Sequence, residues 1–332
     1  MDNKIENPFA LPEFDIHEYW KKNRIVGHYG VPYLDRELLG IAKTDLVLIG
    51  SRAGSGKSTL ARLIYNTNDK KKTALFSLEN YDGDVQMALS RKLYNETYGT
   101  KFDSRRWQTG YGLNINEDAL NKVINQTNES IECSFLFGRN APNDDPEKRA
   151  WTIKTLTEKI IWCATHGVEL TIIDHLDYLD RDDPNESDNT HVTELMKAIR
   201  TAQELGSAIV AISHLRKPMG NVENLIVPNE NEFIGSSNKV KQATQVIMFA
   251  PANEGDAENG YGTWCCIRKN RNGGIKNQAA KLFFMPATET YKPEYLVYTV
   301  NYAGTKVSQE PVETVGVYPY TADNGKIKFA EF

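Results

Sequence analysis

The chain has 332 residues and 40% hydrophobic content, enough to bury one large α/β core or a core with appendages. Its net charge of −5 excludes a global attraction to nucleic acid or acidic membranes, so any polyanion site must be a local basic patch or an assembled channel. Cys133, Cys163, Cys265 and Cys266 form no C-x-x-C pair and no zinc spacing. With no signal-peptide core and no apolar run of membrane-spanning length, they read as reduced structural thiols of a soluble cytoplasmic protein.

In chain order, residues 1–13 are polar and proline-marked and read as a flexible lead. DIHEYWKKN at 15–23 sets Ile16, Tyr19 and Trp20 at i, i+3, i+4 spacing and predicts a short helix. That helix either folds back on its own domain or docks as an arm on a neighbouring subunit. Residues 1–36 are accordingly expected as an N-terminal arm with a short linker helix, and 37–332 as the main domain. A β/α alternation then sets in. Strands are predicted at 45–49, 73–78, 169–173 and 208–213. Helices are predicted after Lys57, through Val85, Leu89 and Leu93, and over 117–125, 151–166 and 191–205. The acidic run DRDDPNESDN at 180–189 is expected to be mobile, and 215–232 reads as a long loop. Strand-like segments at 245–250, 264–268, 281–285 and 294–300 predict antiparallel hairpins. The expected class is α/β: a central, mostly parallel sheet flanked by helices, completed by C-terminal antiparallel hairpins. No internal repeat is visible.

The densest chemical signal is LVLIGSRAGSGKSTLARLI at 46–64, a buried strand, a glycine-rich turn and a helix. It reads as a phosphate-binding loop. Gly54 and Gly56 let backbone N–H groups turn inward around phosphate oxygens, Lys57 brings charge to the β- and γ-phosphates, and the Ser58 hydroxyl can ligate Mg²⁺. The helix start adds its positive dipole end. The candidate nucleotide-binding residues are Ser51, Arg52, Ala53, Gly54, Ser55, Gly56, Lys57, Ser58 and Thr59. The strict G-x-x-x-x-G-K-[ST] pattern wants glycine where Ser51 stands, and Gly50 lies one place early.

Three further residues close predicted strands. LTIIDHLDYL delivers Asp174 at a strand's carboxyl edge, where a second Mg²⁺-organising carboxylate is needed, although strand-to-loop aspartates are common. Glu79, in FSLEN, follows the strand directly after the phosphate-loop helix and can polarise an attacking water, or simply cap a helix. His214, closing AIVAISH, can touch a γ-phosphate or serve as a satisfied structural histidine.

The order GSRAGSGKST, LFSLEN, LTIIDHLDYL, AIVAISHL, EFIGSSNKVKQATQVIMF and IRKNRNGG resembles the motor domain of DnaB-type replicative helicases, which are RecA-fold hexameric ring motors. The resemblance runs over 27–285, including the approach GHYGVPYLDRELLG. It implies a RecA-like P-loop NTPase core using ATP and Mg²⁺, with Glu79 as catalytic base, Asp174 as the Mg²⁺-organising acid and His214 as γ-phosphate sensor. A non-glycine residue at the Ser51 position is usual in that family. Lys269 and Arg271, two apart on a strand, face the same way, with Arg268 opposite. On composition alone they are a basic turn on a hairpin. The resemblance implies lysine and arginine fingers reaching the neighbouring subunit's ATP site, and such an arginine is worth about 10³–10⁵ in rate.

The resemblance also implies single-stranded DNA as a partner, held by loops in a central channel through Arg216, Lys217, Lys239 and Lys241. Glu223, Glu230 and Glu232 interrupt that basic set, and Ile234 replaces the arginine of the family's R-G-S block. A homohexameric ring is implied, with a primase or loader as further partner and no membrane partner. No primase, zinc-binding or collar domain precedes residue 37, so a stand-alone motor of phage, plasmid or mobile-element size is expected. The competing expectation is a RecA- or KaiC-like ATPase acting in recombination, or as a regulatory or defence protein without strand unwinding.

Overall fold

The computed structural model describes residues 15–52, 56–132, 134–140, 150–181, 185, 187–216, 226–233, 236–273, 277–301, 303–316, 322–323 and 326–327. Helix α1 (Ile16–Lys22) is capped by Asp15, whose carboxylate accepts from the N–H groups of His17 and Glu18. None of its residues is buried, and Tyr19 and Trp20 stand 54% and 60% exposed. Strands β1 (Ile25–Gly27) and β2 (Ile41–Ala42) pair antiparallel around α2 (Pro32–Leu38), which begins on a proline that suits a first helical turn. Tyr29, Val31, Tyr33 and Leu34, ahead of residue 37, are buried in the main core, whereas α1 buries none of its residues.

The chain continues through β3 (Leu46–Ser51), α3 (Lys57–Thr67), β4 (Thr73–Ser77), α4 (Asp82–Tyr98), α5 (Ser104–Thr109), α6 (Glu117–Glu132), β5 (Phe135–Phe137), α7 (Ile153–Thr165) and β6 (Leu170–Asp174). Then come α8 (Asp188–Glu204), β7 (Ala208–His214), α9 (Ser236–Gln242), β8 (Gln245–Asp256), β9 (Gly260–Asn270), β10 (Gln278–Met285), β11 (Thr290–Tyr291), β12 (Tyr295–Thr299) and β13 (Glu313–Val315). A separate two-strand pairing joins β14 (Ala322–Asp323) to β15 (Lys326–Ile327).

Eleven strands form one sheet in the order β13-β12-β10-β9-β8-β3-β7-β6-β4-β5, with β11 on β10. The run from β8 to β5 is parallel, and β9 onward is antiparallel. This is the mixed sheet expected from the sequence. The inner parallel strands β3, β4, β6 and β7 are buried on both faces, as helical crossovers require. In β3, Leu46 and Leu48 face one cluster with α7 and α8, while Val47 and Ile49 face the other with α2 and α3. A satellite cluster of Tyr94, Trp107 and Val123 ties α4, α5 and α6 together.

β5, α2, α5 and α9 were not expected from periodicity. The three-residue β5 is too short to show a period, and α9 is only about two mostly polar turns. Cys163, Cys265 and Cys266 are buried and unpaired, while Cys133 lies outside the described residues. Among the described residues no helix is long and apolar enough to cross a membrane.

Candidate functional site

Strand register decides what meets at the carboxyl edge of the parallel sheet. Ser51 lies beside His214 and Gly50 beside Ser213, while Ser77 lies beside Asp174. Four strand ends therefore converge on one crevice, where ligands gather in open α/β sheets. Gly50 explains the shifted glycine. A Cβ there would come within 2.6 Å of Met248 Sδ and Phe233 Cζ and 2.8 Å of Leu215 Cδ2. It is a close-packing glycine where the roots of the following loop press on β3.

Ala53, Gly54 and Ser55 lie outside the described residues. Gly56 adopts φ +77°, which glycine favours, and leads directly into α3. Lys57 is buried, and its ammonium donates to the Arg52 carbonyl at 3.2 Å. Burial pushes Lys57 down, opposed by the nearby charges of Glu79, Asp174 and Asp177. Arg52 pairs with Glu232 at 3.5 Å, linking the phosphate loop to the far root of the 217–225 segment. At that root Arg216 N–H donates to the Glu232 carbonyl at 2.7 Å, and Leu215 bridges Phe233.

Asp174 is 1% exposed, and neither carboxylate oxygen has a hydrogen-bond partner. Burial raises its pKa, and the neighbouring Ser58 hydroxyl is the first group to oppose that rise. An orphaned buried carboxylate beside a hydroxyl is a polar site built for something else to complete. Among the described residues no three acidic, His or Cys side chains cluster as a self-sufficient metal cage. A cation such as Mg²⁺, which keeps waters and phosphate oxygens, fits this sparse pair.

Two residues the sequence reading passed over complete the crevice. His175 Nε2 lies 2.8 Å from His214 Nε2 and 3.6 Å from Glu79 Oε2. Asp177 accepts from His214 N–H at 2.6 Å, Ser213 Oγ at 3.1 Å and Lys239 Nζ at 3.2 Å, and faces His175 Nδ1 at 3.5 Å. Burial pushes His214 below the ordinary imidazole value, helped by His175 and Lys57 and opposed by Asp177 and Glu79. The signal was present in D-H-L-D, where two titratable side chains follow Asp174 out of the strand.

The expected DNA contacts divide. Arg216 and Lys241 are exposed, and Lys217 lies outside the described residues. Lys239 is 1% exposed, with its ammonium bonded to Asp177 and, at 2.9 Å, to Ser213. That expectation is corrected: Lys239 faces the protein interior and is withdrawn from the DNA-facing set.

Lys269 and Arg271 do share a face. Lys269 Nζ donates to the carbonyls of Val240 at 2.6 Å and Lys241 at 3.2 Å, and Arg271 Nη2 to Lys241 at 2.6 Å. Arg268 turns the other way, buried against the Pro228 and Val227 carbonyls. The pair sits at the wrong edge for its own phosphate loop. Asn270 lies beside Gln245, which lies beside Val47, whereas the loop departs after Ser51. At ~3.3 Å per residue this separates the edges by roughly 13 Å, more than an arginine side chain bridges.

A cleft of about 500 Å³ opens beside α3, between Gly56, Thr59 and Leu63 on one side and Pro251, Tyr261 and Tyr291 on the other. It has the apolar walls and sparse polar groups of a small-molecule pocket.

A strand–phosphate-loop–helix unit, with an acid closing a nearby parallel strand and antiparallel strands extending the sheet, defines a P-loop NTPase of RecA-like fold. Two solved structures share that fold. A DnaB-like replicative helicase, described with its interactions with primase, matches with a TM-score of 0.65 at 17% identity, covering 85% of this chain and 68% of that one. The ATPase domain of G40P matches with a TM-score of 0.62 at 16% identity, covering 83% and 94%. The chain belongs to the DnaB-like helicase C terminal domain family, whose model matches residues 28–293. Membership implies use of a nucleotide.

Among curated relatives, the replicative DNA helicase DnaB of Pasteurella multocida is 24% identical over 289 residues, covering 81% of this chain and 58% of the relative. That of Haemophilus influenzae is 23% identical over 253 residues, covering 74% and 51%. The chain thus spans about half the length of the curated relatives it matches.

Proposed function

We propose that the chain is an ATP-hydrolysing, Mg²⁺-dependent motor that assembles as a homohexameric ring and translocates on single-stranded DNA during replication. One observation carries this reading: Lys57, Ser58, Glu79, Asp174 and His214 gather at one sheet edge, while Lys269 and Arg271 stand at the other. A protomer so built holds most of one nucleotide site and the missing cations of a second. Closing a ring of heterologous contacts lets each protomer complete its neighbour.

Lys57 and the phosphate-loop N–H groups bind the triphosphate, and Glu79, partly exposed beside His175, takes the proton from the attacking water. Ser58 and Asp174 would hold Mg²⁺, which neutralises charge on the β- and γ-phosphate oxygens when bound. His214 reads the γ-phosphate, and Lys269 and Arg271 stabilise transition-state charge in the next protomer's site. The cleft beside Thr59 and Tyr261 suits the base and ribose. Exposed Ile16, Tyr19 and Trp20 make α1 a natural arm onto an adjacent protomer. On the DNA side, Arg216 and Lys241 remain candidates with Lys217, and a primase or loader is a further partner. The Arg52–Glu232 pair gives phosphate occupancy a direct route to that loop.

The burial of Lys239 favours a second reading, because it thins the basic set: a regulatory ATPase of this fold acting on protein partners. The deciding experiment is nucleotide turnover with and without single-stranded DNA across low salt concentrations, beside a mass measurement. The motor reading expects DNA stimulation and a six-chain mass. Unstimulated turnover at every salt concentration supports the regulatory reading instead.

A further inference from the structure

Helix α9 joins the two edges of the sheet. It follows Phe233, which packs against Gly50 at the phosphate-loop edge, and ends where β8 begins at the opposite edge. Seven residues of helix span about 10 Å, close to the separation of those edges. Lys239, in the middle of α9, sends its buried ammonium to Asp177 at 3.2 Å and Ser213 at 2.9 Å. The next two carbonyls, of Val240 and Lys241, accept from Lys269 and Arg271. Cations at a helix C-terminus also complement its dipole.

On its other side Asp177 holds the backbone N–H of His214 and faces His175, whose ring touches both His214 and Glu79. Direct contacts therefore run unbroken from Glu79 to Arg271. Glu79, His175, His214 and Asp177 lie at the phosphate edge, with Lys239 at the joint and the cation pair at the far end.

A buried ion pair is an inefficient way merely to attach a helix, since apolar side chains of similar volume commonly do it as well or better. What the pair adds is a fixed geometry along the helix axis.

The geometry points to Lys239 and Asp177 as positioning residues that tie the γ-phosphate pocket of one protomer to the Lys269–Arg271 pair which that protomer extends to the next. This rests on the proposed role of that pair in a neighbouring site. A shift of His214 on loss of the γ-phosphate moves the N–H held by Asp177. The carboxylate carries Lys239 with it, and α9 repositions the cations at its end. The site just emptied thus resets the finger delivered to the following site.

The test uses the full chain with Lys239→Met and, because that change leaves a buried carboxylate short of a partner, also the neutral double variant Asp177→Asn with Lys239→Met. Each is assayed alone and co-expressed with Lys57→Ala, whose protomers cannot bind nucleotide productively but carry intact fingers. Alone, both variants should bind a fluorescent ATP analogue within about threefold of the parent and lose turnover by about tenfold or more. Co-expression should restore turnover, because Lys57→Ala protomers supply well-placed cations to sites that still bind ATP. Arg271→Ala co-expressed with Lys57→Ala is the control.

If the control regains turnover and the Lys239 variants do not, Lys239 acts only within its own site and the inference is overturned while the proposed function stands. If neither combination regains turnover, the in-trans reading fails and takes the inference with it. Parent-like turnover by folded Lys239→Met, or by the double variant, overturns the inference directly.

Discussion

Asp174 and Asp177 stand three residues apart at the end of one strand and are driven in opposite directions. Burial raises Asp174, and the Ser58 hydroxyl opposes this only in part. Burial also pushes Asp177 up, but His175, Lys239 and the His214 N–H outweigh it and hold that carboxyl well below its usual range. The first residue has no hydrogen-bond partner for either carboxylate oxygen, and the second already has its partners. A carboxyl whose folded pKa is raised costs stability once it ionises. The cost is absent below the unfolded value of about 3.9 and becomes complete as pH rises through the folded value. Asp174→Asn should therefore raise the thermal midpoint of the nucleotide-free protein at neutral pH, with the gain disappearing on acidification, while abolishing turnover. Thermal scans from pH 4 to 8 check this. An unchanged or lowered midpoint at pH 7 would mean that the carboxylate is already compensated.

At the scale of elements, one buried acid ties three of them. Glu289, on the turn between β10 and β11, receives Arg62 of α3 at 3.0 Å and Arg91 of α4 at 2.6 Å. Arg91 also donates to the Phe102 and Pro286 carbonyls, bringing the α4–α6 satellite onto the same anchor. Glu289→Ala leaves two largely buried guanidinium groups without their carboxylate and should cost about 3–5 kcal/mol in urea unfolding. A loss below 1 kcal/mol would show that the anchor is dispensable.

None of this was legible in the chain, because a lone Glu after P-A-T carries no local signal of two partners roughly 200 residues away. The same holds for Lys239. In S-S-N-K-V-K-Q a lysine reads as solvated, and only the tertiary fold, which sets it against Asp177 and Ser213, buries it. What could be read was periodic or punctuated. Buried strands ending in Gly50, Asp174 and His214 stood out because hydrophobic runs stop at residues with chemistry. Their mutual placement also followed, since parallel strands deliver their ends to one edge. Gly50 looked like a misplaced consensus glycine until Phe233 and Met248 supplied its packing reason.

For the molecule as a whole, a RecA-like sheet sets the phosphate loop and the Lys269–Arg271 pair at opposite ends of its strands. The strand register keeps the two apart within one protomer, which is why the proposed site needs a neighbour to complete it. The most direct measurement is turnover by co-expressed Lys57→Ala and Arg271→Ala protomers, each inactive by itself. Arg271→Ala should keep nucleotide affinity and lose turnover by about 10³-fold or more. In equal mixture about one interface in four pairs an intact Lys57 with a neighbour's intact Arg271, so about a quarter of parent turnover should return. A mixture as inactive as its components, in an assembly shown to contain both, would contradict a site shared between protomers.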